Sequence, residues 1–77
     1  MTEPSTSPAR LALASVIRAA REQAGYTPAS FAAHAGFDLS TYAAIERGEF
    51  DLPLDTIVQV TTGLGLSAAE LVNRAKL

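Results

Sequence analysis

Apolar residues recur along the chain at the three- and four-residue spacing of an amphipathic helix, not at the two-residue spacing of a strand. In the first such stretch the repeating inward positions are Leu13, Val16, Ile17, Ala20 and Ala24. Serine and proline in Ser7-Pro8 suit the N-cap and the first helical position, and Gly25 suits the C-terminal end. The pattern therefore predicts a first helix from Pro8 to about Ala24.

A second helical stretch starts at Thr27-Pro28, which repeats the start signal of the first. It is predicted to run to about His34 or Ala35. Gly36 then supplies a tight turn, because a residue without a Cβ atom takes the left-handed conformation at little cost. The inward positions of this helix and turn are Phe31, Ala32, Ala35 and Phe37.

A third helix is predicted from Leu39 to about Arg47, directly after the turn. Asp38 is its expected cap, and Gly48 ends it. Tyr42 and Ile45 have the spacing of inward positions. Two helices joined by a turn at glycine form a helix-turn-helix unit, whose second helix commonly enters the major groove of DNA.

Two more helices complete the chain. Pro53 is expected in the first turn of the fourth, which continues through Leu64 even though Gly63 costs a helix interior about 1 kcal/mol relative to alanine. The segment Ser67-Ala-Ala-Glu70 is a capping box, in which two side chains and two free backbone donors pair reciprocally. It predicts a fifth helix over about 68–75.

These elements predict an all-α fold with one helical domain at 8–77, after a polar tail at 1–7 that we expect to be disordered. The tail lacks the apolar run of a signal peptide, and no apolar run approaches the roughly 18 residues that span a bilayer. Cysteine is absent, so no disulfide framework is available. We expect a cytoplasmic protein with no membrane partner.

Charge and chemistry narrow the function. The net charge of −2 argues mildly against nucleic acid, whose phosphates attract lysine and arginine. The single histidine, His34, is expected on the surface, and no cluster of residues matches the three or four ligands that a metal requires. Serines and carboxylates are scattered without a base partner. We therefore expect no enzyme, no cofactor and no small-molecule ligand.

Several motifs stand in a characteristic order: Ile17-Arg18, Arg21-Glu22 and Gly25; then Thr27, Phe31-Ala32 and Ala35-Gly36-Phe37; then Ile45-Glu46-Arg47-Gly48; then Leu64-Gly65-Leu66-Ser67 and Glu70-Leu71. This set, spanning Leu13–Leu71, resembles the phage-repressor (Cro/CI-type, XRE) helix-turn-helix family. The resemblance implies a compact five-helix lambda-repressor-like DNA-binding domain with the helix-turn-helix at helices 2 and 3. It also implies an internal ion pair between Arg21 and Glu46.

The resemblance further implies a bacterial or phage-encoded transcriptional regulator that binds double-stranded DNA at the nucleoid. The DNA-contacting positions would be Thr27, Pro28, Leu39, Ser40, Thr41, Ala43, Ala44, Arg47 and Arg18. Pro28 offers no donor where the family commonly has glutamine, and Ser40 and Thr41 cannot make the bidentate base pairing of arginine or glutamine. Arg47 and Arg18 are the candidate phosphate contacts.

A domain this small contacts few base pairs, so a homodimer on a palindromic site is expected. Its contacts would be Val72, Ala75 and Leu77 of the fifth helix, although Val72 can equally pack inward and Leu77 can be a frayed end. A second hypothesis keeps the fold and makes it a protein–protein interaction module. The apolar side chains of Leu39, Ala43 and Ala44 and the acidic balance favour that alternative.

Overall fold

The computed structural model describes residues 8–77. The tail at 1–7, together with the expected cap at Ser7, lies outside the described residues. Five helices follow in order: α1 Pro8–Gln23, α2 Pro28–Ala35, α3 Leu39–Glu46, α4 Leu54–Leu64 and α5 Ala68–Arg74. The predicted all-α fold is confirmed, and each helix end lies within one residue of its expected position. Pro53 takes the N-cap of α4 instead of its first turn.

All five helices contribute to one core. Its buried apolar members are Leu13, Ile17, Phe31, Ala32, Tyr42, Ile45, Val60 and Leu71. Ala35 and Phe37 are half-buried at its edge, so the inward set predicted for the helix-turn-helix is confirmed. None of the helices between Pro8 and Leu77 has both the length and the hydrophobicity that crossing a bilayer requires.

The inward face of α1 differs from the prediction at two alanines. Ala24 is exposed, because α1 ends at Gln23 and helical spacing no longer applies beyond that point. Ala14 is buried, although it was not expected to be. The buried face is wider than one stripe because α1 packs against α3, α4 and α5 together.

Two capping boxes start helices at the expected places. Ser67 Oγ accepts from the backbone N–H of Glu70 at 3.0 Å, and Glu70 Oε1 accepts from the N–H of Ser67 at 3.0 Å. The Thr27 hydroxyl accepts from the N–H of Ser30 at 3.0 Å, and Ser30 Oγ accepts from the N–H of Thr27 at 2.9 Å. The sequence did not predict the box at Thr27, because Ser30 stands at the third helical position, where glutamate or glutamine is usual.

Helices α2 and α4 pack closely together at Gly63. A Cβ atom at this position would lie 3.0 Å from Ala35 Cβ and 3.0 Å from Phe31 Cζ. Glycine is unfavourable within a helix, but at this position its lack of a side chain allows α2 and α4 to pack together. His34 adds a second link, because its Nε2 lies 3.2 Å from the carbonyl oxygen of Gly63 while its ring stacks on Tyr26.

Candidate nucleic-acid interface

The turn between α2 and α3 is fixed by its own glycine and by a side chain from α4. Gly36 has φ 83°, and its N–H donates to the carbonyl of Ala32 at the end of α2. Gln59 Nε2 donates to the carbonyl oxygens of Ala35 at 2.9 Å and of Gly36 at 3.1 Å. These two carbonyls lie where the α2 ladder ends, so Gln59 satisfies groups that would otherwise need water. The turn that orients α3 is thus held from two sides.

The inner face of α3 is held to α1 by a buried ion pair. Arg21 Nε lies 2.6 Å from Glu46 Oε2, and Arg21 Nη2 lies 3.2 Å from Glu46 Oε1, which is a bidentate arrangement. Arg21 Nη1 also donates to the carbonyl oxygen of Tyr26 at 2.8 Å. The structure therefore brings together the two residues that the family resemblance paired.

Tyr42 extends this pair into a three-residue network. Its side chain is buried, and its hydroxyl donates to the Glu46 carboxylate. Burial raises the pKa of Tyr42 first of all, and the bond to Glu46 raises it further. The hydrogen bonds to Glu46 also raise the pKa of Arg21. Among residues 8–77, no fully buried side-chain polar atom lacks a hydrogen-bond partner.

Arg18 joins the same network, although the sequence suggested it as a phosphate contact. Its Nη2 donates to the backbone carbonyl of Glu46 at 3.0 Å, and its Nε lies 3.8 Å from Glu46 Oε1. The side chain is nevertheless 53% exposed. In this structure Arg18 ties the C-terminal end of α3 to α1.

The outer face of α3 carries the remaining candidate residues. Ser40, Ala44 and Arg47 recur at the spacing of one helix face, opposite the buried Tyr42 and Ile45. Ser40 and Arg47 are exposed, as are Leu39, Thr27 and Pro28, whereas Thr41, Ala43 and Ala44 are half-buried.

Asp38 takes the N-cap position of α3, as expected. Asp38 has the extended backbone of an N-cap, but its side chain makes no capping bond. Its carboxylate accepts from the Ser40 hydroxyl, which lowers the pKa of Asp38. A serine that is expected to read DNA is therefore engaged with an acid on its own helix.

Acids also accompany the arginines near the end of α3. Arg47 Nε lies 2.9 Å from Glu49 Oε1, and both side chains are about half exposed. Arg10 Nη1 lies 3.5 Å from Asp51 Oδ1 in the same loop. The candidate surface thus has mixed charge. Across residues 8–77, no group of three His, Asp or Glu side chains is placed to hold a metal.

The three candidate dimer contacts divide between surface and core. Val72 and Leu77 are exposed, with 36% and 58% of their surface accessible. Ala75 instead packs half-buried against the core, since it lies one helical turn after the buried Leu71. An apolar surface at this end of the chain therefore consists mainly of Val72 and Leu77.

Comparisons with known proteins agree with this geometry. A family model described as a helix-turn-helix domain matches residues 12–73. No curated protein sequence matches the chain. Among solved structures, the clp gene regulator ClgR from C. glutamicum is similar, with a TM-score of 0.81, 25% sequence identity and 88% of each chain covered. With the helix-turn-helix at α2 and α3 and the matched model spanning most of the sequence, the chain belongs to the helix-turn-helix domain family of the Cro-like, XRE type.

Proposed function

We propose that the protein is a DNA-binding transcriptional regulator that places α3 in the major groove. The proposal rests on one observation: α3 is held in place both along its inner face and at the turn that precedes it. Glu46 holds its inner face to α1, and Gln59 holds the turn before it. Ser40 and Arg47 on its outer face are exposed. A rigidly supported helix with a solvent-facing side has the arrangement that major-groove reading needs. The similarity to the gene regulator ClgR supports the same function.

The side chains on this surface favour contacts to the DNA backbone over base discrimination. Arg47 is an exposed cation at the end of α3 that can reach a phosphate. Leu39, 49% exposed, can contact a thymine methyl group. The hydroxyl of Thr41, and that of Ser40 once it leaves Asp38, can donate to phosphates or bases. None of these provides a bidentate base contact. Affinity should therefore come mostly from phosphates and depend strongly on salt.

A homodimer would supply the affinity that one such domain lacks. Val72 and Leu77 are the exposed apolar residues available at the end of the chain. Two copies related by a two-fold axis would address half-sites about 34 Å apart, one helical turn of DNA. A solution mass measured with and without a palindromic duplex tests this part of the proposal.

The direct test of DNA binding is a salt series. Affinity for a random-sequence duplex and for duplexes selected from a random pool is measured by fluorescence anisotropy. Arg47→Ala should weaken binding to all sequences and reduce the slope of log affinity against log salt by about 1. Arg74→Ala removes the same charge from α5 and serves as the matched control, provided that its solution mass equals that of the parent. Absence of binding at low salt would refute the proposed function.

Leu39→Ala tests the orientation of α3. If the start of α3 faces base edges, the selected sequences should change at one base step while affinity for random DNA stays the same. Loss of affinity for every sequence would instead indicate a structural role for Leu39. An unchanged selected site would remove Leu39 from the reading surface.

A protein-binding module is the second candidate, and one observation favours it. Leu39 on α3 and Leu54 and Val58 on α4 are exposed by 49%, 69% and 49%. Apolar binding buries such side chains and depends little on salt, whereas DNA binding weakens steeply as salt rises. The salt series therefore separates the two candidates.

A further inference from the structure

The loop after α3 places a carboxylate directly on the cation that is expected to meet DNA. Glu49 Oε1 lies 2.9 Å from Arg47 Nε, only two residues away along the chain. The contact occupies the Nε donor of Arg47, one of the groups with which a guanidinium binds phosphate. A phosphate approaching from solvent would therefore meet a guanidinium whose Nε donor is already bonded to a carboxylate.

The backbone that carries Glu49 is anchored. The N–H of Glu49 donates to the carbonyl of Ala44 at 3.0 Å, and Gly48 N–H donates to the carbonyl of Ile45 at 3.0 Å. Gly48 has φ 75°, and a Cβ atom there would lie 2.8 Å from Leu11 Cδ2 on α1. The helix end is thus wedged against α1, so the position of Glu49 relative to Arg47 follows from packed backbone.

The same loop repeats the arrangement at a second arginine. Asp51 Oδ1 lies 3.5 Å from Arg10 Nη1, so two acids of one short loop contact two arginines of the surrounding helices. Exposed ion pairs of this kind are weak, with a typical net contribution of about 0–1 kcal/mol. A phosphate group can therefore displace the carboxylate, but it binds less tightly than it would to a cation without a competing acid.

We propose that Glu49 restrains DNA binding by holding Arg47, so that a phosphate must displace its carboxylate. The inference rests on the proposed function, and it identifies Glu49 as a residue that limits the affinity of the protein for DNA. It explains how a DNA-binding surface can have mixed charge. Single-domain binding remains weak, and occupancy of a DNA site then depends on two domains binding together.

The test compares Glu49→Gln with the parent protein on one selected duplex across salt from about 0.02 to 0.3 M, a range over which the screening length changes severalfold. Glu70→Gln is the matched control. It makes the same change in net charge, and glutamine preserves the capping box of α5. Arg47→Ala and the Arg47→Ala, Glu49→Gln double variant complete a double-mutant cycle. Urea unfolding of each variant confirms that it is folded.

Glu49→Gln should tighten binding about two- to fivefold at low salt, the size of one unit-charge interaction at a few ångströms in water. The gain should shrink as salt rises, and it should be smaller when Arg47 is already alanine. Glu70→Gln should bind as the parent does. An equal gain for Glu70→Gln would overturn the inference, because net charge alone would then explain it. An undiminished gain without Arg47 would also overturn it, because simple repulsion of phosphate would suffice.

The remaining outcomes separate this inference from the proposed function. If the parent binds DNA and Glu49→Gln binds equally well, the inference fails and the proposed function stands. If only Glu49→Gln binds measurably, the restraint is supported, and the proposed function fails for the parent protein. If neither binds at low salt, both fail, because removing the acid has not released any DNA affinity.

Discussion

Replacing Glu46 by leucine should remove a large part of the stability of the domain. The carboxylate accepts three hydrogen bonds, two from the Arg21 guanidinium and one from the Tyr42 hydroxyl. Arg21 is only 7% exposed, so the substitution leaves its charge buried opposite an apolar side chain. The only other acid near it, among the ion pairs of the described chain, is Glu22 at 3.8 Å.

The magnitude follows from these contacts. Removing one partner of a buried, hydrogen-bonded ion pair costs about 3–5 kcal/mol. Glu22 compensates little, because its side chain is 63% exposed and water screens its charge. A domain of this length has a total unfolding free energy of roughly 4–11 kcal/mol. Glu46→Leu should therefore remove about a quarter or more of the stability, whereas Glu22→Ala should change it by less than about 1 kcal/mol.

Urea unfolding followed by circular dichroism measures the effect. Arg21→Met and the Arg21→Met, Glu46→Leu double variant complete a double-mutant cycle. Because the double variant leaves neither charge unpaired, its cost should be less than the sum of the single variants by about 2 kcal/mol or more. Two results would refute the reasoning: a loss below about 1 kcal/mol for Glu46→Leu, or single-variant costs that simply add.

Two further predictions concern packing and pH. Gly63→Ala should destabilise the domain by about 1 kcal/mol, because overpacking of a Cβ atom 3.0 Å from Phe31 outweighs the gain in helix propensity. Exposed Thr62→Ala is its control, and a stabilised Gly63→Ala would contradict the packing argument. The pKa of Tyr42 is raised in the folded state, so the unfolded chain loses this proton first and stability should fall above about pH 10, by up to about 1.4 kcal/mol per unit. Urea midpoints from pH 8 to 11 should fall less steeply for Tyr42→Phe, and equal slopes would count against this assignment.

Helical spacing and turn residues were sufficient to predict the five helices and the turn before α3, whereas their arrangement was predicted from the family resemblance. The apolar repeat identified Phe31 and Ile45 as inward residues, and Gly36 marked the turn, because both signals depend on neighbours within a few positions in the chain. The prediction for Ala24 failed where the helix itself ended, since periodicity carries no information beyond a helix terminus.

Polar contacts between helices were harder to predict. The Arg21–Glu46 pair came from the family resemblance, but nothing in the spacing indicated that the Tyr42 hydroxyl would join it. Gln59 has the pattern of a polar surface residue, yet it bonds to carbonyls more than twenty positions away. Such contacts depend on how helices pack in three dimensions, which a local pattern does not specify.

The candidate interface was predicted in outline only. Exposure of Leu39, Ser40 and Arg47 agrees with their expected place on the outer face of α3. The sequence did not show that Ser40 bonds to Asp38 or that Arg47 bonds to Glu49. Both contacts involve residues two positions apart, and their formation depends on the conformation of the helix ends, which hydrophobic periodicity does not report.

The division of α3 into a packed face and an open face has a consequence for how such domains diversify. Tyr42 and Glu46 are constrained by partners on other elements, whereas Leu39 and Arg47 are exposed and lie outside the core cluster. Exchanges on the open face can therefore accumulate during evolution, or be introduced by design, without refolding the scaffold. Ser40 is the exception, because its exchange would leave Asp38 without its hydroxyl partner. A redesign of the preferred DNA sequence should therefore begin by replacing Asp38 and Ser40 together.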